Sequence, residues 1–396
     1  MNASNSRPCP VCGHLEHNSI YRQRFVDGSI GDGYNIVVCL RCGAGFADGV
    51  PSQREMDKYY EEHSKYSYNF SGGVESIWAL KRFEATVQQV LPFLKSHKIG
   101  ILDIGCATGG LLSVFKKHGF SNLTGVDPSS ACVESVARLH GINARAATLT
   151  KLKNWKERFD LILMLGVLEH LREVRKAIGI ASRLLNDGGR LYCAVPNVEG
   201  LAICSNAPYQ QFSGEHVNFF SPVSLRRLMA ECNMTEICAW SWTVEWREGT
   251  FEPIASGLYE CRSRSPRQLF DEITEPSLRR YLRFSKKGDR EIGATIDCLR
   301  KNQMRVLVWG AGTLARRLLA TSRFSEINIV AFVDSNSDIQ GKTLAGRPIL
   351  SPAQIVVSSE TILICSIAFE KEIVETIRLR HGLRNKIVSI LGRDLS

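Results

Sequence analysis

The stretch Ile101-Leu-Asp-Ile-Gly-Cys-Ala-Thr-Gly-Gly-Leu-Leu112 decides the fold of this chain. Residues 99–104 are rich in isoleucine and leucine and predict a buried strand, while the glycines at 105, 109 and 110 predict a turn before an amphipathic helix that runs to about residue 118. Glycine lets backbone N–H groups approach a ligand closely, and the N-terminus of the helix favours an anion. The stretch therefore predicts a strand–turn–helix unit that binds a small charged cofactor.

The next predicted strand, residues 123–126, ends in an acid. Asp127 follows it, 24 residues after Asp103 in the chain. A carboxylate in this position can accept hydrogen bonds from both hydroxyls of a ribose. We therefore expect the cofactor to contain a nucleoside.

The order of these residues, Asp103, Gly105, Gly109 and then Asp127, resembles the motifs of class I S-adenosylmethionine methyltransferases. Residues 159–164 resemble the fourth strand of that family, residues 166–171 the loop beyond it, and residues 184–192 the helix-to-strand hairpin before the fifth strand. An α/β domain whose glycine turns bind nothing is the alternative, but it explains only the first of these landmarks. The resemblance implies a Rossmann-like α/β core in which S-adenosylmethionine contacts these four residues and Leu165.

Length and composition set the limits of the fold. A chain of 396 residues predicts two or three domains, and 44% apolar with 23% charged residues is typical of a soluble globular protein. The longest apolar run, residues 161–168, is too short to cross a bilayer, and no secretory signal is readable at the N-terminus. The thirteen cysteines, an odd number, favour a reducing compartment over a disulfide framework. We expect a cytoplasmic monomer with no membrane partner.

The formal net charge of +10 indicates an anionic partner. Because the basic residues are scattered among acids, the phosphates of a small substrate and a nucleic acid both stay open as partners at this stage. A nucleic-acid methyltransferase would normally carry an aromatic and polar motif after the fourth strand, and residues 165–168 do not form one. This favours the small-molecule partner.

Two pairs of cysteines near the N-terminus, Cys9 with Cys12 and Cys39 with Cys42, are each separated by two residues and followed by glycine. Two such knuckles can close a tetrahedral Zn²⁺ site with four sulfur ligands. Redox or purely structural cysteine pairs are the alternative. Four thiolates leave no open position, so we expect a structural zinc without which this small module does not fold.

A second strand–turn–helix pattern lies near the C-terminus, where Gly310-Ala-Gly312-Thr-Leu-Ala315 precedes a strand that ends in Asp334. This pattern alone is weak evidence for a ligand, and the unit either serves as a platform or holds the nucleotide of a substrate. The predicted organisation is a zinc module (1–50), a tyrosine-rich connector (51–74), a methyltransferase domain (75–265), a helical connector (266–303) and a second Rossmann-like domain (304–396).

Taken together, these parts are similar to the nucleotide-sugar C-methyltransferases that act on keto-deoxysugars. The family has a Tyr-His-Glu-His loop followed by two aromatic residues, and a histidine after the fourth strand; Glu215, His216 and His170 match it here, as do the aromatic residues 219 and 220. Ser213 and Gly214 stand where the family has tyrosine and histidine.

The resemblance implies a base that removes a proton beside a ketone, so that the enolate carbon attacks the methyl group of the sulfonium. We expect His216 to be this base, with Glu215 or a carbonyl steering it, His170 in support, and Tyr66 bringing a phenol to the rim of the pocket. Methylation of a hydroxyl needs only one base and is the first alternative. A non-catalytic cofactor-binding scaffold is a further one.

Overall fold

The computed structural model describes residues 6–28, 31–62, 74–262, 269–355 and 360–396. The chain divides into two compact units, each built from several segments. The first unit comprises Met1–Tyr21, Asn35–Cys204 and Glu215–Leu278, and the second comprises Arg22–Tyr34, Ser205–Gly214 and Arg279–Ser396. The division into five parts drawn from the sequence stays a prediction.

A seven-stranded sheet forms the centre of the first unit. Its strands run in the order Met234–Arg247, Thr250–Cys261, Leu185–Pro196, Phe159–Leu165, Ile101–Ile104, Leu123–Asp127 and Asn143–Ala146. The last five strands are mutually parallel, and the first two form an antiparallel hairpin at one edge. This is the mixed α/β arrangement that the sequence predicted for a Rossmann-like methyltransferase core.

The strands Ile101–Ile104 and Phe159–Leu165 are apolar apart from Asp103 and Asp160, because both faces of the sheet are covered. Ile101 and Leu161 belong to one buried cluster, whereas their neighbours Leu102 and Ile162 belong to another, as the alternation of side chains along a strand requires. The helices of this unit are Gln53–Glu62, Ile77–Val90, Gly110–Lys117, Ser130–His140, Val174–Arg183, Leu201–Cys204 and Pro222–Glu231.

Two local features differ from the sequence prediction. Apolar residues at helical spacing predict a helix over about residues 75–95, and the structure has Ile77–Val90, because Ser76 caps its start by accepting the N–H of Ala79 and a 3₁₀ turn containing Pro92 ends it. The hairpin expected over residues 184–192 belongs to one long strand, Leu185–Pro196, in which Gly188 takes a positive φ of 74°.

A four-stranded sheet contains the strands His17–Arg24, Gly33–Cys39, Gly45–Asp48 and Asn218–Phe219. The second unit has a six-stranded sheet in the order Thr343–Leu344, Arg347–Leu350, Asn328–Val333, Arg305–Trp309, Thr361–Ile364 and Ile387–Ser389, parallel except for the first strand. The helix Thr274–Lys301 connects the units in sequence, and Thr313–Thr321 and Glu370–Glu375 are the α-helices that follow it in the described residues. Within the described ranges, no helix combines the length and apolar character needed to cross a bilayer.

Candidate active site

The glycine turn follows the strand Ile101–Ile104 as predicted. Gly105 has φ +80°, and Gly109, with φ +85°, is the N-cap of the helix Gly110–Lys117. A Cβ on Gly105 would lie 2.7 Å from Cγ2 of Val167, and one on Gly109 would lie 3.0 Å from Cγ1 of Val136. Both positions therefore require glycine, for conformation and for space.

Asp127 holds this turn in place. Its Oδ2 accepts the N–H of Ala107 at 3.0 Å, and its Oδ1 accepts the N–H of Ser129 at 2.9 Å. Ala107 lies in the middle of the turn at φ +46°, a conformation that is strained for a residue with a side chain. Each carboxylate oxygen has a second lone pair, so both can still accept a hydroxyl of a ribose.

A second carboxylate, Asp103, lies in the strand Ile101–Ile104 that precedes the turn and is only 2% exposed. Burial, and to a smaller extent the charge of Asp127, raises the pKa of Asp103 to about 7. Burial likewise raises the pKa of Asp127. Two carboxylates that are costly to ionise beside one turn favour a cationic ligand, because a nearby positive charge stabilises both anions.

The loop after the strand Phe159–Leu165 carries the next candidate residues. Leu165 is half-buried at the carboxyl end of this strand, and the loop then contains Glu169 and His170. Because this strand pairs with Ile101–Ile104 in parallel, the loop begins at the same edge of the sheet as the glycine turn. The contact of Val167 with the position of Gly105 joins the two.

The two predicted histidines pack edge-on against each other. The ring centroids of His170 and His216 are 4.8 Å apart at an angle of 76°. Nδ1 of His170 lies 3.0 Å from the hydroxyl of Tyr60 and 3.2 Å from the carbonyl oxygen of Glu215, and the hydroxyl of Tyr59 donates to Oε1 of Glu215 at 3.1 Å. The structure thus brings His170, Glu215 and His216 together with two phenols. Tyr66, the fourth candidate, lies outside the described residues.

The four N-terminal cysteines form a buried cluster. Sγ of Cys9 is 3.5 Å from Sγ of Cys42, and Sγ of Cys12 is 3.6 Å from Sγ of Cys39. Sulfurs that bind one tetrahedral Zn²⁺ at about 2.3 Å lie roughly 3.8 Å apart, so the spacing fits such a site. In both knuckles the glycine N–H, at 13 or 43, donates to the carbonyl of the first cysteine at 2.9 Å.

Comparison with known protein families identifies the kind of domain that carries this site. Residues 78–238 match a family model described as a methyltransferase domain. The chain contains an S-adenosylmethionine-dependent methyltransferase domain. The glycine turn, Asp127 and the loop containing His170 all lie inside the matched range, so the enzyme class predicted from the sequence is confirmed. Residues 302–388 match a second family model, described as C2185-like, N-terminal.

Curated relatives of the methyltransferase domain are similar over part of their length. The ubiquinone biosynthesis O-methyltransferase of Coxiella burnetii (strain Dugway 5J108-111) is 28% identical over 161 residues, which are 37% of this chain and 66% of that protein. The enzyme of the same name from Chelativorans sp. (strain BNC1) is 36% identical over 103 residues, 24% of this chain and 40% of that protein. The chain thus spans 66% or less of the length of either relative.

Among solved structures, magnesium protoporphyrin IX methyltransferase from Synechocystis PCC 6803 with bound SAH is similar to this chain. It is 13% identical, and the alignment covers 53% of this chain and 99% of that chain with a TM-score of 0.40.

Sequence reasoning missed three residues of this site. Glu169 is buried beside His170, and Tyr59 and Tyr60 contact Glu215 and His170, whereas the sequence predicts Tyr66 from the tyrosine-rich segment. The spacing of the tyrosines in the sequence does not indicate these contacts. In the structure, the helix Gln53–Glu62 places Tyr59 and Tyr60 on its last turn. Glu169 was recognisable as the residue that precedes His170 at a strand end.

Proposed function

We propose that this protein transfers a methyl group from S-adenosylmethionine to a nucleotide-linked keto-deoxysugar. The observation that carries the proposal is the pair of histidines, His170 and His216, at the carboxyl edge of the sheet that bears the glycine turn. An imidazole is largely neutral near pH 7, so it can take a proton from a carbon acid in a way that an exposed carboxylate cannot.

The cofactor would be held by Asp103, Gly105, Gly109, Asp127 and Leu165. Asp127 would accept the ribose hydroxyls, while the buried Asp103 would favour the positive charge of the sulfonium and amino groups. When bound, S-adenosylmethionine supplies an electrophilic methyl group. All five residues lie at the carboxyl ends of neighbouring parallel strands or in the turn beyond, where ligands of open α/β sheets bind.

In the proposed reaction, His216 would remove the proton from the carbon beside the ketone and hold it as the imidazolium. Bound S-adenosylmethionine would supply the methyl group to that carbon and keep the electron pair of the cleaved bond on its sulfur. His170 packs edge-on against His216 and would hold its ring, while Tyr59 would fix the Glu215 carboxylate beside it. This arrangement partly compensates for Ser213 and Gly214, which lack the phenol and imidazole of the family.

Deuterium exchange tests the base directly. We expect the wild-type protein to exchange hydrogen beside the ketone of a keto-deoxysugar nucleotide in D₂O, and His216→Asn to lose this exchange while keeping its affinity for S-adenosylhomocysteine. His118→Asn, which removes a histidine that pairs with Glu84 instead, is the matched control and should exchange normally. Full exchange in His216→Asn would exclude His216 as the base.

Methylation of a hydroxyl is the second candidate. The curated relatives are named O-methyltransferases, and a single histidine suffices to take a hydroxyl proton. The same experiment separates the two reactions, because an O-methyltransferase would show no exchange at carbon in the wild type and would transfer the methyl group to oxygen.

We further infer that Cys9, Cys12, Cys39 and Cys42 bind a structural Zn²⁺. The two sulfur–sulfur distances and the paired glycine turns support this. Elemental analysis should find zinc in the purified protein and its loss in Cys39→Ser, whereas Cys298→Ser, which removes an exposed cysteine, should keep it. Unchanged zinc in Cys39→Ser would disprove the site. A cytoplasmic monomer is part of the proposal, and light scattering of the purified protein tests the monomer.

A further inference from the structure

One buried carboxylate and two imidazoles meet at the loop that follows the strand Phe159–Leu165. The potential ligand atoms of Glu169, His170 and His216 all lie within 4.8 Å of one another. Glu169 is 4% exposed, and both histidines are half-buried. Two histidines and one carboxylate form a donor set that binds transition metals in many proteins.

The hydrogen bonds of His170 orient it as a ligand. A carbonyl oxygen only accepts, so the 3.2 Å contact of Nδ1 with the carbonyl of Glu215 is a hydrogen bond when the proton is on Nδ1, and the Tyr60 hydroxyl at 3.0 Å then accepts from the same N–H. In that tautomer Nε2 is the nitrogen that can bind a metal, and it lies 4.0 Å from Oε1 of Glu169. An imidazole whose second nitrogen donates to a backbone carbonyl is the usual state of a metal-bound histidine.

The loops that carry these residues are joined by hydrogen bonds. The N–H of Val217 donates to the carbonyl of Glu169 at 2.8 Å, and Nδ2 of the buried Asn218 donates to the carbonyls of Leu168 and Leu171, both at 2.7 Å. His216 is therefore fixed next to Glu169 by its own neighbours in the chain, although 47 residues separate the two. These hydrogen bonds hold the three donors close together.

We propose that Glu169, His170 and His216 bind a divalent transition-metal ion of the Zn²⁺ or Co²⁺ type, distinct from the zinc of the cysteine cluster. Imidazole nitrogens favour these ions over Mg²⁺ and Ca²⁺, which prefer oxygen. Donor atoms around a tetrahedral zinc lie roughly 3.3 Å apart, so side-chain movements of about 1 Å would bring these three donors to that spacing. Three protein ligands leave a position open to water or to an oxygen of a small molecule.

Metal binding has a consequence for catalysis that rests on the proposed function. If His216 is the base, an ion on its lone pair prevents it from taking a proton, and the metal therefore inhibits reversibly. Chelation should restore activity without removing the zinc of the cysteine cluster, since four thiolates bind zinc far more tightly than a carboxylate with two imidazoles.

Metal stoichiometry tests the site without any activity measurement. Protein that retains its cysteine-bound zinc is equilibrated with excess Zn²⁺, desalted and analysed for zinc. We expect wild type and His118→Asn to gain a second equivalent, and Glu169→Gln and His216→Asn to gain none. Circular dichroism and the retained first equivalent confirm that the variants fold.

Titration with Co²⁺ identifies the ligands. We expect weak visible bands without the intense thiolate charge-transfer band, and their loss in His216→Asn. A second equivalent that persists in both Glu169→Gln and His216→Asn, its absence from wild type, or a thiolate band would overturn the metal site. Deuterium exchange that survives in His216→Asn while the metal is lost would disprove His216 as the base and support the metal site. Loss of exchange while the metal is retained would support His216 as the base and disprove the metal site.

Discussion

Two strand–turn–helix segments of this chain share one hydrogen-bond pattern. In the first unit the carboxylate of Asp127 accepts the N–H of Ala107 in the glycine turn at 3.0 Å. In the second unit the carboxylate of Asp334 accepts the N–H of Ala311 at 2.8 Å, and that of Asn336, two residues further on, at 2.9 Å. An acid that ends the second strand and binds the first turn is therefore present in both.

The segments differ in the turn and in the strand before it. The first turn has five residues, 105–109, before its helix and contains a strained Ala107, whereas the second has three, 310–312. Two residues before the first glycine stands Asp103 in one segment and Val308 in the other, and both are buried. The acid on the turn is thus common to both segments, while the longer turn and the second buried acid occur in the segment that we propose as the cofactor site.

The largest expected effect is that of Asp127→Ala on cofactor binding. Two charge-assisted hydrogen bonds to the ribose are each worth roughly 1.5–3 kcal/mol, so affinity for S-adenosylhomocysteine should fall by at least about a hundredfold. Titration calorimetry measures it, and circular dichroism verifies the fold. An unchanged affinity would break the comparison, because the cofactor would then bind elsewhere, with residues 310–315 as the next candidate.

Substitution of the first glycine in each turn sharpens the contrast. In Gly105→Ala the new Cβ would lie 2.7 Å from Cγ2 of Val167. The backbone would also have to keep its positive φ of +80°. A left-handed conformation costs roughly 1–2 kcal/mol, and the displaced turn should weaken cofactor binding about tenfold or more. Gly310→Ala is the matched variant, with φ +107° and a Cβ 3.1 Å from the carbonyl of Cys365.

We expect Gly310→Ala to lower thermal stability without a change in cofactor affinity. Comparable losses of affinity in both variants would mean that the effect of Gly105→Ala is a general one on folding. Thermal unfolding and calorimetry on the same samples distinguish the two outcomes.

The parts of the site that the sequence predicted are those determined by neighbouring residues. The glycine turn, Asp127 and the cysteine pairs each depend on spacings within one short segment. Local spacing determines such features because the turn geometry allows few residue types.

The contacts of His170 and His216 depend on distant parts of the chain instead. His216 reaches Glu169 across 47 residues, and Tyr60 reaches His170 across 110. No periodicity encodes these contacts, which form because the strands before the two loops, Phe159–Leu165 and Leu185–Pro196, are neighbours in the sheet. The contact between the two histidines therefore follows from the order of the strands in the sheet. The sequence alone predicted only that each histidine follows a strand.

The pH dependence of cofactor binding tests the buried acid that the second segment lacks. The pKa of Asp103 is about 7 in the free protein, and a bound cation should lower it, so binding releases a proton. Affinity for S-adenosylmethionine should therefore rise with pH up to about 7 and become constant above it. The total rise should be about tenfold for each unit by which the bound cation lowers the pKa of Asp103.

Asp103→Asn removes the titrating group and should make this pH profile flat. Calorimetry in buffers of different ionisation enthalpy counts the released proton. A profile that keeps its slope in Asp103→Asn would assign the titration to another group.

The smallest expected effect is that of Asp334→Ala, which tests whether the shared acid is a fold feature or a ligand. The variant removes the bonds to Ala311 and Asn336, each worth about 0.5–1.5 kcal/mol, so the second unit should lose stability. Affinity for S-adenosylhomocysteine should stay within about twofold of wild type, because a lost hydrogen bond to the cofactor would cost more than that. Hydrogen exchange at residues 310–315 reports the local loosening, and calorimetry reports the affinity. Local loosening with full affinity would show that the acid at the strand end stabilises the turn in either unit and that only the first unit uses it for a cofactor. A loss of affinity comparable to that of Asp127→Ala would instead place cofactor contacts in the second turn.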